Sequence, residues 1–229
     1  MERRQVKFCR FWLFVSLLLV TSTADAGVQH LIIVHTNDIH GALLPAEAYW
    51  LDNNFPPPLA NAAGALTVIR ELRDSAVRHG YGFLLLDGGD IFKGTPVGDF
   101  TRGQAVIDFF RQAGYDAVAP GNHDFDFGWQ VLKEIADSSR IPWIATNVRV
   151  PDGDSPPGYL KRSHIFERGG IKIGILGVLT KYLYGMVNES LTGGLDILPY
   201  YDVVREEVAR LREAGAEIVI ALNHIGYTH

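Results

Sequence analysis

The sequence predicts a layered α/β domain. Three observations carry that expectation: short apolar runs alternate with segments of helical periodicity, Gly and Pro punctuate nearly every junction, and 47% of the 229 residues are apolar against 21% charged. Such a chain can bury a real core, carries no compositional mark of disorder, and is read as one globular domain.

Residues 1–26 stand apart from the rest. Arg3, Arg4, Lys7 and Arg10 precede the apolar run Phe11 to Val20, and the small-residue sequence Ala24-Asp25-Ala26 follows. That order is the pattern of a secretory signal peptide, with cleavage expected before Gly27 and a secreted or periplasmic product. The alternative, an uncleaved anchor, is disfavoured because the apolar run falls short of the ~20 residues a span needs. No stable membrane span is expected after cleavage.

The remaining elements follow in order. Leu31-Ile32-Ile33-Val34 reads as a buried strand ending at Thr36-Asn37-Asp38. A loop containing Pro56-Pro57-Pro58 leads to a helix from about Asn61 to Arg78, and Phe83 to Leu86 forms a second strand stopped by Asp87-Gly88-Gly89-Asp90. Gln104 to Ala113 reads as a helix, Ala117 to Ala119 as a short strand, Trp129 to Ala136 as a helix and Trp143 to Ala145 as a brief strand. Asp152 to Gly158 is expected as a surface loop. Ser163 to Glu167 and Lys172 to Val178 flank Gly169-Gly170 like a hairpin, Tyr201 to Glu213 has helical spacing, and Glu217 to Leu222 is a last strand running into Asn223-His224.

Charge and cysteine usage narrow the chemistry. The net charge of -5, with a pI near 5.9, becomes -7 once residues 1–26 and their four basic and two acidic side chains are removed. No broad cationic field remains to grip a nucleic-acid duplex. The single cysteine, Cys9, lies in the leader, so any metal site in the rest of the chain must use His, Asp, Glu or Asn.

Four polar clusters fall at strand ends: Asp38-Ile39-His40, Gly89-Asp90, Gly121-Asn122-His123-Asp124 and Asn223-His224. Each alone has an ordinary reading, as solvated turn, cap, glycine turn or satisfied strand-end histidine. Their shared position is what matters, because ligands gather at strand ends in α/β sheets. If the strands are neighbours in one sheet, the clusters converge on one crevice. Their oxygen and imidazole donors suit two divalent ions such as Mn, Zn, Fe, Co or Mg. His35 is expected as a supporting hydrogen-bonded residue and His30, His79 and His164 at the surface. Phe109, Phe110, Trp129 and Trp143 are expected as core, and His229, five residues beyond His224, is not expected to join the site because the intervening Gly-Tyr-Thr carries no ligand motif.

In their longer forms, His35-Thr36-Asn37-Asp38-Ile39-His40-Gly41, Leu86-Asp87-Gly88-Gly89-Asp90 and Gly121-Asn122-His123-Asp124-Phe125-Asp126-Phe127-Gly128 resemble the calcineurin-like metallophosphoesterases, in their 5'-nucleotidase branch. The resemblance runs from about Leu31 to Gly226. It implies an α/β/β/α sandwich, incomplete at the C-terminus, with residues 27–229 as the N-terminal part of a metallophosphoesterase domain. It also implies that Asp38 and His40 ligate one metal, Asp90 bridges, Asn122 and His224 ligate the second, and His123, oriented by Asp126, assists catalysis. Asp124 is a supporting residue outside that set. A further Gly-His-x-His cluster and a C-terminal substrate-binding domain belong to the branch and are absent here, which reads as a fragment of a longer protein.

The function so implied is hydrolysis of phosphate esters by a hydroxide held between two metals, on nucleoside 5'-monophosphates or related nucleotides. Two alternatives stay open. The same site could act on cyclic nucleotides, nucleotide-sugars or a sulfur ester, or the chain could be an inactive metal-binding fragment.

Overall fold

The computed structural model describes residues 27–226, so the expected export signal in residues 1–26 and His229 lie outside the described residues. In chain order the elements are β1 (Leu31–Thr36), α1 (Ala62–His79), β2 (Gly82–Asp87), α2 (Pro96–Thr101), α3 (Gln104–Ala113), β3 (Ala117–Val118), α4 (Trp129–Ser139), β4 (Val148–Arg149), β5 (Ser163–Arg168), β6 (Ile171–Leu179), α5 (Leu183–Met186), β7 (Asp196–Ile197), α6 (Tyr200–Glu213) and β8 (Ile218–His224). None of the described helices is long and apolar enough to cross a membrane.

Local chemistry explains the boundaries. Asn61 caps α1 by accepting the Gly64 N–H at 3.0 Å, and Gly80 ends it in the left-handed conformation that a side chain would resist. Gly169 and Gly170, at φ 58° and 79°, form the two-residue turn whose twist matches an antiparallel hairpin, and β5 pairs with β6 from Ser163↔Leu176 to Arg168↔Ile171.

Two sheets stack face to face. The first is parallel, in the order β1-β2-β3; the second runs β5-β6-β8, with β8 parallel to β6. The period of two along each strand divides the side chains between layers. Leu84 and Leu86 of β2 with Ala117 of β3 meet Ile171, Ile173 and Ile175 of β6 and Leu222 of β8 between the sheets. Phe83, Leu85 and Val118 point the other way, into a core shared with α1, α3 and α4. On the far side, Leu176 and Val178 pack with Leu211 of α6. The result is the α/β/β/α sandwich, held by layers whose individual Leu and Ile side chains each contribute roughly 1.5–3 kcal/mol on full burial.

The α6 layer also carries a charge cluster. The Glu207 side chain is only 1% exposed, 3.0 Å from Arg162 Nε and paired with Arg210, which also reaches Ser163 at 2.6 Å. Burial pushes the Glu207 carboxyl up, but the Arg210 and Ser163 hydrogen bonds and the two guanidinium charges outweigh it and hold it below the ordinary value.

Several expectations need correction. Trp143 to Ala145 is not a strand of its own; it makes only the single bridges Val118↔Trp143 and Ile144↔Lys161. Its backbone runs from one sheet to the other, Ile144 N–H donating to Val118 O and Thr146 N–H to Gly177 O. A Cβ on Gly177 would lie 2.8 Å from the Ile144 carbonyl carbon, so this crossing requires glycine there. The short helices α2 and α5 and the pair β4–β7 were not expected, each being too short for a periodic pattern to register. Phe110 and Trp143 are fully buried and Phe109 and Trp129 pack against the same core. His164 is half-buried, its ring edge-on to Phe166 at 4.5 Å, where a surface position was expected.

Candidate metal centre

The loops that leave β1 and β2 run side by side. Asp38 N–H donates to Gly89 O at 2.9 Å, His40 N–H to Asp90 O at 3.0 Å and Gly41 N–H to Ile91 O at 2.9 Å. Within this ladder Asp38, His40 and Asp90 all take left-handed backbone angles, at φ 52°, 49° and 58°. That conformation costs a non-glycine residue roughly 1–2 kcal/mol. Its effect here is to bring one donor atom from each of the three side chains within 4.8 Å of the others. Three strained residues in one carboxylate and imidazole cluster mark a site shaped for a ligand.

The imidazoles are oriented by carbonyls. His40 Nδ1 lies 2.7 Å from Lys93 O, and since a carbonyl only accepts, the proton sits on Nδ1 and Nε2 faces inward, 3.8 Å from both Asp38 Oδ1 and Asp90 Oδ2. His224 repeats the arrangement: Nδ1 donates to Gly88 O at 2.9 Å, and Nε2 lies 3.2 Å from Asp90 Oδ2. Asp90, 6% exposed, therefore stands between the two rings. Burial works against its charge, yet the hydrogen bond and charge of His224, with the His123 N–H, hold its carboxyl below the ordinary range. His224 responds in kind. Burial pulls it down, but Asp90 raises it to about 9.

The segment after β3 completes the cluster. His123 N–H donates to Asp90 Oδ1 at 2.8 Å, so both carboxylate oxygens of Asp90 are engaged. Asp124, fully buried, accepts the N–H groups of Gly121 (2.8 Å), Ile91 (2.8 Å), Asp90 (3.1 Å) and Phe92 (3.3 Å), tying the two loops together. Burial raises its carboxyl to about 6 despite those donors. His123 Nδ1 lies 2.8 Å from Asp126 Oδ2, and the His123 and His40 rings stand 5.4 Å apart. Asn122 sits at the start of a 3₁₀ turn, between Gly121, whose N–H donates to Asp124, and His123, whose N–H donates to Asp90.

Beneath the loops lies a carboxyl that sequence reading treated only as a strand stop. Asp87 is fully buried, with Thr36 Oγ1 2.6 Å from Oδ2, Gly89 N–H donating to Oδ1 at 2.8 Å, and Tyr115 Oη 2.8 Å from Thr36 Oγ1. Burial dominates and raises its pKa to about 8. Lys93 was missed as well: its Nζ stands 3.2 Å from Asp126 Oδ2. The only available signal was its place three residues after Asp90, before Gly94.

The structure thus gathers Asp38, His40, Asp90, His123, Asp126 and His224. They do not come from one sheet, however. The loops after β1, β2 and β3 supply all but His224, which is the last residue of β8 in the second sheet. His35, expected as a supporting hydrogen-bonded residue, is instead exposed. Asn37, Asp38, Asn223 and His224 line an open cleft beside the cluster. The donor set fits divalent cations of hard or borderline character, because every inward atom is a carboxylate oxygen or an imidazole Nε2 with its tautomer fixed from behind.

Comparison with known proteins identifies the family and the fold. The family described as calcineurin-like phosphoesterase matches residues 31–229. A 5'-nucleotidase of Vibrio cholerae is 30% identical over 198 residues, covering 86% of this chain and 34% of that protein. A snake venom 5'-nucleotidase of Gloydius brevicauda is 32% identical over 209 residues, 88% of this chain and 34% of its own length. Among solved structures, the 5'-nucleotidase precursor from Thermus thermophilus superposes with a TM-score of 0.74 at 28% identity, covering 85% of this chain and 37% of that one. The sulfate thiohydrolase SoxB of Thermus thermophilus shares the fold, with a TM-score of 0.78 at 20% identity over 87% of this chain and 44% of its own. The chain spans about a third of the length of the curated relatives it matches.

Proposed function

Because this chain belongs to the calcineurin-like phosphoesterases, metal-dependent hydrolases that use a dinuclear site, we propose that it carries the metal-binding half of a nucleotide-hydrolysing centre. Its substrates are phosphate esters, in the first place nucleoside 5'-monophosphates. The observation that supports this most directly is Asp90, whose one carboxylate meets His40 and His224 on Oδ2 and the His123 N–H on Oδ1.

In this reading Asp38 and His40 hold one cation, Asn122 and His224 the other, and Asp90 is shared. Two divalent ions bound there would supply a water nucleophile at neutral pH and positive charge for the phosphoryl oxygens. His123 does the chain's own proton work. Its Nδ1 proton is engaged by Asp126, so Nε2 is the atom left to meet the leaving oxygen, and a side chain 45% exposed is open to substrate. Asp126, 13% exposed, holds the ring in that orientation through Nδ1, so that a proton carried on Nε2 would pass to the leaving oxygen.

Residues 1–26 are read as an export signal that places this chemistry outside the cytoplasm. N-terminal sequencing of the exported protein tests cleavage before Gly27. Function is tested by phosphate release from nucleoside monophosphates, cyclic nucleotides and nucleotide-sugars with Mn, Zn or Mg supplied, alongside calorimetric metal titration. Metal-dependent release that Asp90→Ala abolishes is expected. Equal release by Asp90→Ala, or release indifferent to chelator, overturns the proposal. His123→Ala is expected to lose roughly 10²–10⁴-fold in turnover while retaining metal; loss of metal instead would move His123 into the ligand set.

A further inference from the structure

We propose that Lys93 is a positioning residue for the His123–Asp126 pair, fixing the Asp126 carboxylate so that the imidazole presents Nε2 to the leaving group. The inference rests on the functional reading above for its catalytic consequence but on geometry alone for the positioning itself. Lys93 emerges from an anchored backbone. Its carbonyl accepts the His40 Nδ1 proton at 2.7 Å, and the next residue, Gly94 at φ 142°, packs so closely that an added Cβ would lie 2.8 Å from His40 Cβ.

From that fixed origin the side chain reaches Asp126. Lys93 Nζ lies 3.2 Å from Asp126 Oδ2, the same oxygen that His123 Nδ1 approaches at 2.8 Å. Two donors converging on one oxygen from different segments define where that oxygen sits. One donor on a half-exposed ring leaves the carboxylate free to turn about its own bonds, and the ring turns with it. The ordinary reading is a half-exposed ion pair, which contributes about 0–1 kcal/mol to stability. That small value separates the two roles: with Lys93 47% exposed, its loss leaves the fold intact, so any effect on His123 reports positioning.

The test uses Lys93→Met and Lys93→Arg. In metal-free, ¹⁵N-labelled protein at one pH, the unaltered chain is expected to show a downfield His123 Nδ1–H resonance protected from solvent exchange. Lys93→Met speeds that exchange and Lys93→Arg restores the protection. In the metal-loaded protein, Lys93→Met lowers kcat on a nucleoside monophosphate by ~10-fold, a part of what general acid catalysis supplies, with KM and metal content unchanged. The loss is smaller on an aryl phosphate, whose leaving oxygen needs no proton. Unaltered exchange in Lys93→Met, or an unprotected proton in the parent chain, overturns the inference. So does a rise in KM with kcat unchanged, which would make Lys93 a substrate contact. Failure of the parent chain to hydrolyse any ester would count against the functional proposal, while the exchange measurement still decides on Lys93.

Discussion

Gly89 and Gly121 lie backbone against backbone directly under Asp90. A Cβ on Gly89, which sits at φ 101°, would come within 2.5 Å of Gly121 N, and one on Gly121 within 2.8 Å of Asp90 Cγ. The strand-end loops can approach closely enough for His123 N–H to reach Asp90 only because neither residue has a side chain.

Gly121→Ala is therefore expected to push the loops apart. A methyl forced into a filled space costs roughly 1–3 kcal/mol, and here the displaced atom is the shared carboxylate. Metal titration and chemical unfolding together check this. An alanine variant with unaltered metal affinity would show that the loops have slack that the geometry denies.

Asp87 governs a pH dependence. Its carboxyl is raised by burial to about 8 from the ordinary 3.8, so between those values the folded chain binds a proton that the unfolded chain has released. The Asp87 contribution to the stability of the metal-free protein therefore falls as pH rises through this window, by at most about 1.4 kcal/mol per pH unit. Asp87→Asn removes the Asp87 share of the slope and leaves those of Asp124 and His224, because its amide can donate to Thr36 Oγ1 and its oxygen can still accept from Gly89. Urea midpoints in chelator at about pH 5 and about pH 8 are the measurement, and parallel pH profiles for the two proteins would contradict it.

Divalent cations are expected to stabilise the fold by mass action. At a hundredfold excess over the dissociation constant the gain is about 2.7 kcal/mol, read as an upward shift in melting temperature with Mn or Zn that chelator reverses. Asp90→Ala should abolish the shift, since the carboxylate it removes is the one common to both imidazoles.

Glu207 predicts an acid limb. Its carboxyl is held below the ordinary 4.5 because hydrogen bonds and charges from Arg210, Ser163 and Arg162 outweigh burial. The stabilisation is present above that ordinary value and disappears as pH falls through the lower, folded value. Glu207→Gln is expected to cost about 1–3 kcal/mol near neutral pH, and the two proteins should converge in strong acid. A gap that persists unchanged into acid would show that packing, not charge, accounts for it.

Much of this was legible in the sequence because it was written in period and punctuation. Gln104–Ala113 reads correctly from its apolar spacing and closing Gly114, and the β5–β6 hairpin from Gly169-Gly170. The residues of the candidate site could be picked out as motifs, since Asp38, His40, Asp90 and His123 follow strand ends. What escaped depends on tertiary approach. The pairing of His224 in β8 with β6 instead of the first sheet is a long-range register that no local window contains. Lys93 has no motif, and its meaning comes from a residue 33 positions later that folds back beside it. Asp87 looks like a turn residue in the sequence, and its full burial beneath the strand-end loops is a tertiary effect.

The attachment of His224 to the second sheet has a mechanical consequence. A cation held, as proposed, by His224 and by Asp90 would rivet the two halves of the sandwich across their open end, so that sheet separation and metal release would become one event. The coupling is reciprocal. Whatever loosens the Leu86, Ile175 and Leu222 layer would then weaken metal retention, and metal scarcity in the surroundings would loosen that seam. Protease resistance of this chain would then track the free cation concentration, giving its lifetime a dependence on the medium.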